Sequence, residues 1–315
     1  MELVEKFKQQ LQCFFRQTKP QVESSQEPFV FSTAAVASDT LKSVNQDAWA
    51  LRTVAGTSVT LIAVADGVGS VAKAEDGSRF VANKAVELLE SAVRTSQPLD
   101  YFKLFAGIQQ ELDAMVLRTY GKTADAFGNN AFATTLIVGV DSPDTFTVAY
   151  VGNGCVFHIF TDFIDFPENH PMPWSVTNLL SPHSALNPNS GRDEMYRYFG
   201  FRAAPKQYEP TVVTISKDRL KGELFVIATD GLESADHQRI GRRSDGFWMM
   251  LNEKISLLCK ELRHCLTEDF NTENLQNMLL SLMQSLKDNS LMDDDVTIGV
   301  IVSPRAVEYA NHYNE

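Results

Sequence analysis

The sequence predicts an α+β protein in which two antiparallel β-sheets pack face to face under flanking helices, an α-β-β-α sandwich. Three observations lead there. Short apolar runs rich in Val, Thr and aromatic residues recur along the chain, joined by turns too short for parallel crossovers, so neighbouring strands run antiparallel. Segments with helical periodicity arrive in pairs between groups of strands, as expected of helices that cover sheets. The chain has 315 residues, 44% of them hydrophobic and 22% charged, enough to bury a sizeable core without disulfides.

The elements follow in order. Leu3, Val4, Phe7, Leu11, Phe14 and Phe15 fall near helical spacing, and the polar segment 17–28 carries two prolines and reads as a linker. Residues 1–28 are therefore expected to be an N-terminal helix and linker, the helix docking on its own domain or on a partner. Residues 29–304 form the main domain and 305–315 a tail. Strands are expected at 29–36, 48–54 and 59–65, then helices at 77–94 and 99–118, the second opening behind Pro98. Three more strands, at 132–140, 146–151 and 156–160, are separated by turn residues that include Gly152-Asn153-Gly154. Segment 162–207 is proline-bearing and irregular, with no dominant period, and such a loop is usually functional or mobile. Strands at 212–215 and 224–228, helices at 247–266 and 273–286, and a final strand at 296–302 complete the chain.

Composition excludes several function classes. The net charge of -12 argues against non-specific binding to nucleic acid or to an anionic membrane, since both need a basic face. No apolar run approaches the roughly 20 residues that span a bilayer, and the N-terminus lacks a signal-peptide core, which reads as cytoplasmic. Cys13, Cys155, Cys259 and Cys265 are scattered without a CxxC pair, as free thiols in a reducing compartment would be.

Four acidic spots share one design, a carboxylate where an apolar strand leaves the core. They are Asp47 in Asn45-Gln46-Asp47-Ala48, Asp66 before Gly67-Val68-Gly69, Asp230 before Gly231, and Asp293-Asp294-Asp295 before Val296-Thr297. Taken singly, each is an ordinary turn residue, because Asp bonds its own backbone and Gly tolerates positive φ. Taken together they suit Mg²⁺ or Mn²⁺, hard cations that want oxygen ligands and keep waters of their own. The glycines after Asp66 let the backbone approach whatever that carboxylate holds. Adjacent like charges at 293–295 repel unless solvated or bound to a cation.

With these residues in view, the chain from about 29 to 304 resembles the metal-dependent protein phosphatase 2C family, in a divergent bacterial-type branch. The family's opening element, a basic residue followed by Asn-Glu-Asp-Ala, is similar to Lys42-Ser43-Val44-Asn45-Gln46-Asp47-Ala48. Its Asp-Gly element resembles Asp66-Gly67-Val68-Gly69-Ser70, its Gly-Thr-Thr strand start Ala133-Thr134-Thr135, and its Gly-Asp-Ser turn Gly152-Asn153-Gly154. Its last elements resemble Asp230-Gly231-Leu232 and Asp294-Asp295-Val296-Thr297. The resemblance implies a serine/threonine phosphoprotein phosphatase that holds two divalent ions, Mn²⁺ or Mg²⁺. Asp66 would bridge the ions with the Gly67 carbonyl as a further ligand, Asp230 and Asp294 would each help hold one, and Asp47 would act through their waters. A water between two such ions has its pKa lowered toward neutrality and can attack phosphorus in line. Lys42 would meet the phosphate.

The chain departs from the family pattern in four places. Lys42 replaces an arginine and so loses a bidentate fork. Gln46 replaces a glutamate. Asn130-Ala131 stands where many bacterial members have an aspartate for a third metal, with Asp125 too far upstream to substitute. Val68 stands where some eukaryotic members have a histidine. These changes keep open an alternative, a weak or inactive phosphatase fold acting as a phosphoprotein-binding scaffold. A two-metal nuclease is disfavoured by the acidic balance. The histidines (His158, His170, His183, His237, His264, His312) show no metal-ligand pairing and read as surface residues or supports behind a site. Arg239, Arg242 and Arg243 form a small basic cluster that reads as solvated surface or as a greeting for a phosphorylated substrate.

Overall fold

The computed structural model describes residues 32–128, 130–160, 175–189, 191–218, 222–232, 240–242, 248–250, 253–266 and 269–312. These belong to one compact unit, Phe31–Glu315. The N-terminal helix and linker expected at 1–28, like Arg239, Arg243 and the 162–174 part of segment 162–207, lie outside the described residues.

One sheet has the order β1 (Thr33–Asp39), β14 (Val296–Val302), β11 (Glu223–Ala228), β6 (Cys155–Phe160), β7 (Ser175–Asn178). The other runs β10 (Thr211–Ser216), β5 (Thr145–Val151), β4 (Leu136–Asp141), β3 (Thr60–Asp66), β2 (Asp47–Thr53). Every pairing within them is antiparallel. Helices α1 (Ala74–Arg94) and α2 (Tyr101–Tyr120) cover the second sheet, while α3 (Glu253–Cys265) and α4 (Thr272–Asp288) cover the first.

The alternation of side chains across each strand builds the layers. In β3, Ile62 and Val64 face the other sheet, whereas Leu61, Ala63 and Ala65 face α1 and α2. In β11, Phe225 and Ile227 point between the sheets, and Leu224 and Val226 point at α3 and α4. Central strands are thus apolar on both faces. Each large side chain sealed there contributes about 1.5–3 kcal/mol. Phe146 and Phe225 stack across the inter-sheet core at 3.9 Å between ring centres.

The helix starts are set locally. The Asp100 carboxylate caps α2 by accepting from the Lys103 N–H (3.1 Å), and Asn271 caps α4 by accepting from the Asn274 N–H (3.0 Å). At the start of α1, Gly77 lies so close to residue 132 that a Cβ there would stand 2.1 Å from the Phe132 carbonyl oxygen.

Several expected elements are corrected. The strand expected at 132–140 begins at Leu136, because Phe132 adopts a φ of 62° that no strand accommodates. The helix expected from 247 to 266 begins at Glu253; Trp248–Met250 (β13) pairs instead with Ile240–Arg242 (β12). Segment 162–207 holds β7 and a hairpin of β8 (Ser184–Asn187) with β9 (Arg192–Met195). Most of the tail is a helix, α5 (Pro304–His312), whose proline sits at the first helical position.

Candidate active site

The site lies at the end of the sandwich where the chain changes sheets. Residues 40–46 link β1 in one sheet to β2 in the other, and 152–154 link β5 to β6. β1 pairs with β14 so that Asp39 lies opposite Val296, which sets residues 40–46 beside Asp293-Asp294-Asp295. β2 pairs with β3 so that Asp47 lies directly opposite Asp66. β11 pairs with β14 up to Ala228 opposite Ile298, leaving Thr229 and Asp230 at the same end.

Each carboxylate is then held from behind. The Thr229 hydroxyl donates to Asp47 Oδ2 (2.7 Å) and accepts from the Thr297 N–H (3.0 Å). The Asp66 N–H donates to Thr135 Oγ1 (2.9 Å), while the Asp66 carbonyl accepts from the Thr135 N–H (2.8 Å) and the Thr134 hydroxyl (2.9 Å). The Asn153 side-chain amide donates to Asp230 Oδ2 (2.7 Å). Asp295, buried at 2% exposure, accepts from the Thr40 hydroxyl and from the Gln46 N–H (2.8 Å), which pins both ends of the 40–46 loop. Lys42 reaches across this loop to bond Asp294 and lies 3.6 Å from Asp295 Oδ2. Lys254 of α3 ties Asp293 (2.9 Å) to the Gly231 carbonyl (2.9 Å).

Like charges crowd here. Burial, and then the Asp230, Asp47 and Asp294 charges, push the Asp66 carboxyl well above its ordinary value. Burial also drives Asp47 up to about 7, against the hydrogen bonds of Thr229 and Thr297 and with the Asp295 charge adding to the rise. Partial burial pulls the Lys42 ammonium down, but the bond and charge of Asp294, backed by Asp295 and Asp66, leave it raised.

Among the described residues, two sealed acceptor oxygens, Asp47 Oδ1 and Asn153 Oδ1, meet no hydrogen-bond donor. Burying such a group unpaired is costly. An all-oxygen donor set, mutually repelling carboxylates and an orphaned carboxylate oxygen fit a hard divalent cation in chemistry. Among the described residues, no three carboxylate, imidazole or thiol side chains stand close enough to form a ready-made metal cluster.

A family model for protein phosphatase 2C matches residues 40–280. The chain belongs to the protein phosphatase 2C family. No curated protein matches it by sequence. Among solved structures, a bacterial serine phosphatase carrying one substitution is similar over 85% of this chain and 96% of its own, with a TM-score of 0.56 and 16% identity. A serine/threonine phosphatase from Staphylococcus aureus is similar over 90% and 99% (TM-score 0.54, 16% identity). A Ser-Thr phosphatase from Mycobacterium smegmatis, solved with cacodylate, is similar over 85% and 97% (TM-score 0.52, 19% identity). At these identities the likeness is one of fold.

The four departures from the protein phosphatase 2C pattern have visible places. Lys42 lies at the site beside Asp294. The Gln46 carbonyl accepts from the Gly67 N–H (3.1 Å) and the Ser78 hydroxyl (2.6 Å), and its Oε1 lies over Gly69. Asn130 adopts a left-handed φ of 69° and donates its N–H to Phe201, while Asp125 is ion-paired with Arg202 (2.7 Å). The Val68 N–H donates to the Ala133 carbonyl (2.9 Å).

Sequence reasoning gave no supporting role to Thr135, Thr229, Asn153 or Lys254, and it read Asp295 only as part of an acidic run. Thr135, Asn153 and Asp295 did carry a signal, their places in the Ala133-Thr134-Thr135, Gly152-Asn153-Gly154 and Asp293-Asp294-Asp295 stretches. Among the described residues, His158 and His183 are not on the surface but act as supports inside the fold. His158 is buried against Glu223 (3.0 Å), and His183 is buried beside Gly152.

Proposed function

We propose that the chain is a Mn²⁺- or Mg²⁺-dependent serine/threonine phosphoprotein phosphatase that hydrolyses phosphate monoesters in the cytoplasm. The observation that carries the reading is the convergence of Asp47, Asp66, Asp230 and Asp294 on one sheet end, with the carboxyls of Asp47 and Asp66 driven upward by burial and by neighbouring charge. Perturbed acids gathered in this way are more often functional than structural.

In this reading Asp66, the Gly67 carbonyl, Asp230 and Asp294 would hold two divalent ions, and Asp47 would act through their waters. When bound, the ions would supply an activated water at neutral pH and positive charge for the phosphoryl oxygens. The chain's own residues do the placing. Thr135 orients the Asp66 backbone, Asn153 orients the Asp230 carboxylate, and Thr229 takes one oxygen of Asp47 and leaves the other without a donor. Lys42, on a loop pinned at both ends by Asp295, offers a point charge to the substrate phosphate from the open side.

The test is hydrolysis of p-nitrophenyl phosphate and of phosphoserine or phosphothreonine peptides by purified protein with millimolar Mn²⁺. Turnover that vanishes with chelator is expected, and no turnover with either substrate class would sink the reading. A second reading, a phosphoprotein-binding scaffold on the same fold, is favoured by the bond of Lys42 to Asp294, which occupies the ammonium that would otherwise be offered to a phosphate. Retained Mn²⁺ binding by calorimetry without turnover would select it.

A further inference from the structure

Outside the carboxylates, the inserted segment between β6 and β10 grips one of the turns that build the site. His183, just before β8, is 4% exposed. Its backbone N–H donates to the Gly152 carbonyl (2.9 Å), and the Gly152 N–H donates to its Nδ1 (3.2 Å). The two bonds close a ring between segments 31 residues apart in sequence. With Nδ1 accepting, the ring proton lies on Nε2 and is donated to Thr211 Oγ1 (2.8 Å), a tautomer that follows from the network. Burial, with the Arg197 guanidinium beside it, holds the imidazole down at about 4, so it stays neutral and keeps its acceptor. Tyr150 stacks on the ring at 5.0 Å, and the Tyr196 N–H donates to the His183 carbonyl (2.8 Å).

The gripped turn has no slack. Gly152 and Gly154 have φ of 97° and 112°, a region that other residues rarely enter. A Cβ on Gly152 would stand 2.5 Å from Thr135 Cγ2, and one on Gly154 would stand 2.7 Å from the Ala228 carbonyl oxygen. The turn is therefore wedged between the start of β4 and the end of β11. Asn153 at its tip bonds Asp230 Oδ2 at 2.7 Å. The chain of contacts runs from the imidazole to the Gly152 amide, to the Asn153 amide, to the Asp230 carboxylate.

We propose that His183 is a positioning residue that clamps the Gly152–Gly154 turn so that Asn153 holds Asp230 in its metal-binding orientation, making the β8–β9 insertion part of the site's framework. The proposal rests on the reading of Asp230 as a metal ligand.

Mn²⁺ titration calorimetry on the full chain tests it, comparing wild type with His183→Ala, His183→Asn, Asn153→Ala and the double variant His183→Ala/Asn153→Ala. Partners behind a ligand typically govern about 10–100-fold of metal affinity, so His183→Ala should weaken binding about tenfold, at the low end. His183→Asn places a carbonyl oxygen where Nδ1 stands and should restore most of that loss. The double variant should bind no more weakly than Asn153→Ala alone, because the two act in series. In parallel, exchange of the Gly152 amide hydrogen in metal-free protein should quicken in His183→Ala and stay slow in His183→Asn.

Equal weakening by His183→Ala and His183→Asn, additive losses in the double variant, or unchanged Gly152 exchange would each overturn the proposal. Should His183→Ala fail to fold, His183→Asn decides alone: a fast-exchanging Gly152 amide there is equally fatal. A wild-type protein that binds no Mn²⁺ overturns the metal-ligand reading itself, and the Gly152 exchange pattern then still decides whether His183 clamps the turn.

Discussion

The same strands carry buried charge at both of their ends, and the two ends handle it in opposite ways. β3 runs from Thr60, opposite Asp141, to Asp66; β11 runs from Glu223 to Ala228, just before Asp230. At the Asp141–Glu223 end, each buried carboxylate meets a basic group. Asp141 pairs with Lys217 (2.7 Å), and Glu223 bonds His158 (3.0 Å), whose ring stacks on Phe225. At the Asp66–Asp230 end, aspartates face aspartates, and one sealed carboxylate oxygen has no partner. At the second end Lys42 and Lys254 reach Asp294 and Asp293 from the rim, but Asp47 and Asp66 face each other without a basic partner among the described residues, the arrangement on which the proposed function rests.

The sharpest way to break this contrast is Asp66→Asn. If the site end is functional, kcat/KM should fall by about 10³-fold or more, roughly 4 kcal/mol. The metal-free protein should meanwhile melt at a higher temperature, because a repelled buried carboxylate has been removed. Lost activity together with lost thermal stability would mean that Asp66 is merely structural. Lys217→Met is the matching experiment at the other end. It strands Asp141, whose carboxyl burial already pushes up, and should cost about 3–5 kcal/mol in denaturant unfolding with Mn²⁺ affinity unchanged.

pH separates the ends more gently. The folded-state value of about 7 for Asp47 lies above the ordinary 3.8. Its contribution to stability is therefore fully present below pH 3.8 and is lost as pH rises through about 7. Chelated protein should consequently lose thermal stability between about pH 4 and 7, and Mn²⁺ should raise the melting temperature more at pH 8 than at pH 5, because ions and protons compete. The smallest effect is expected from Lys42→Arg. A guanidinium fork can bind phosphate with two parallel bonds, so KM for a phosphopeptide should fall a few-fold with kcat little changed. A raised KM would show that the 40–46 loop is shaped for an ammonium.

Much of this was legible in the sequence, for identifiable reasons. The strands at 296–302 and 59–65 lie where their apolar runs place them, because strands sealed on both faces must be apolar throughout. The helix expected over 247–266 overran its true start because Trp248, Met249 and Met250 are as apolar as the helix that follows, and composition cannot divide such a run. Phe132 gave no warning of its left-handed backbone. Asp47, Asp66, Asp230 and Asp294 stood out by their place at strand ends. Their supports did not, since a bond such as Asn153 to Asp230 joins residues 77 apart and follows no period. His183 was not separated from the other histidines, read together as surface residues or supports behind a site, because nothing local marks a ring that is held by a distant glycine amide.

If the site end holds ions as proposed, the contact between its two acidic loops would limit which ones. A Cβ on Gly231 would stand 1.8 Å from the Asp295 carbonyl oxygen, so the loops bearing Asp230 and Asp294 touch main chain to main chain. Their spacing behaves like a calliper with a mechanical stop, fixed by peptide against peptide rather than by adjustable side chains. On the proposed two-ion reading, such a gauge would favour small ions with oxygen distances near 2.0–2.1 Å over Ca²⁺, which needs about 2.3–2.6 Å and more ligands. Gly231→Ala would force the jaws apart, and the preference for the smaller ion should relax with them.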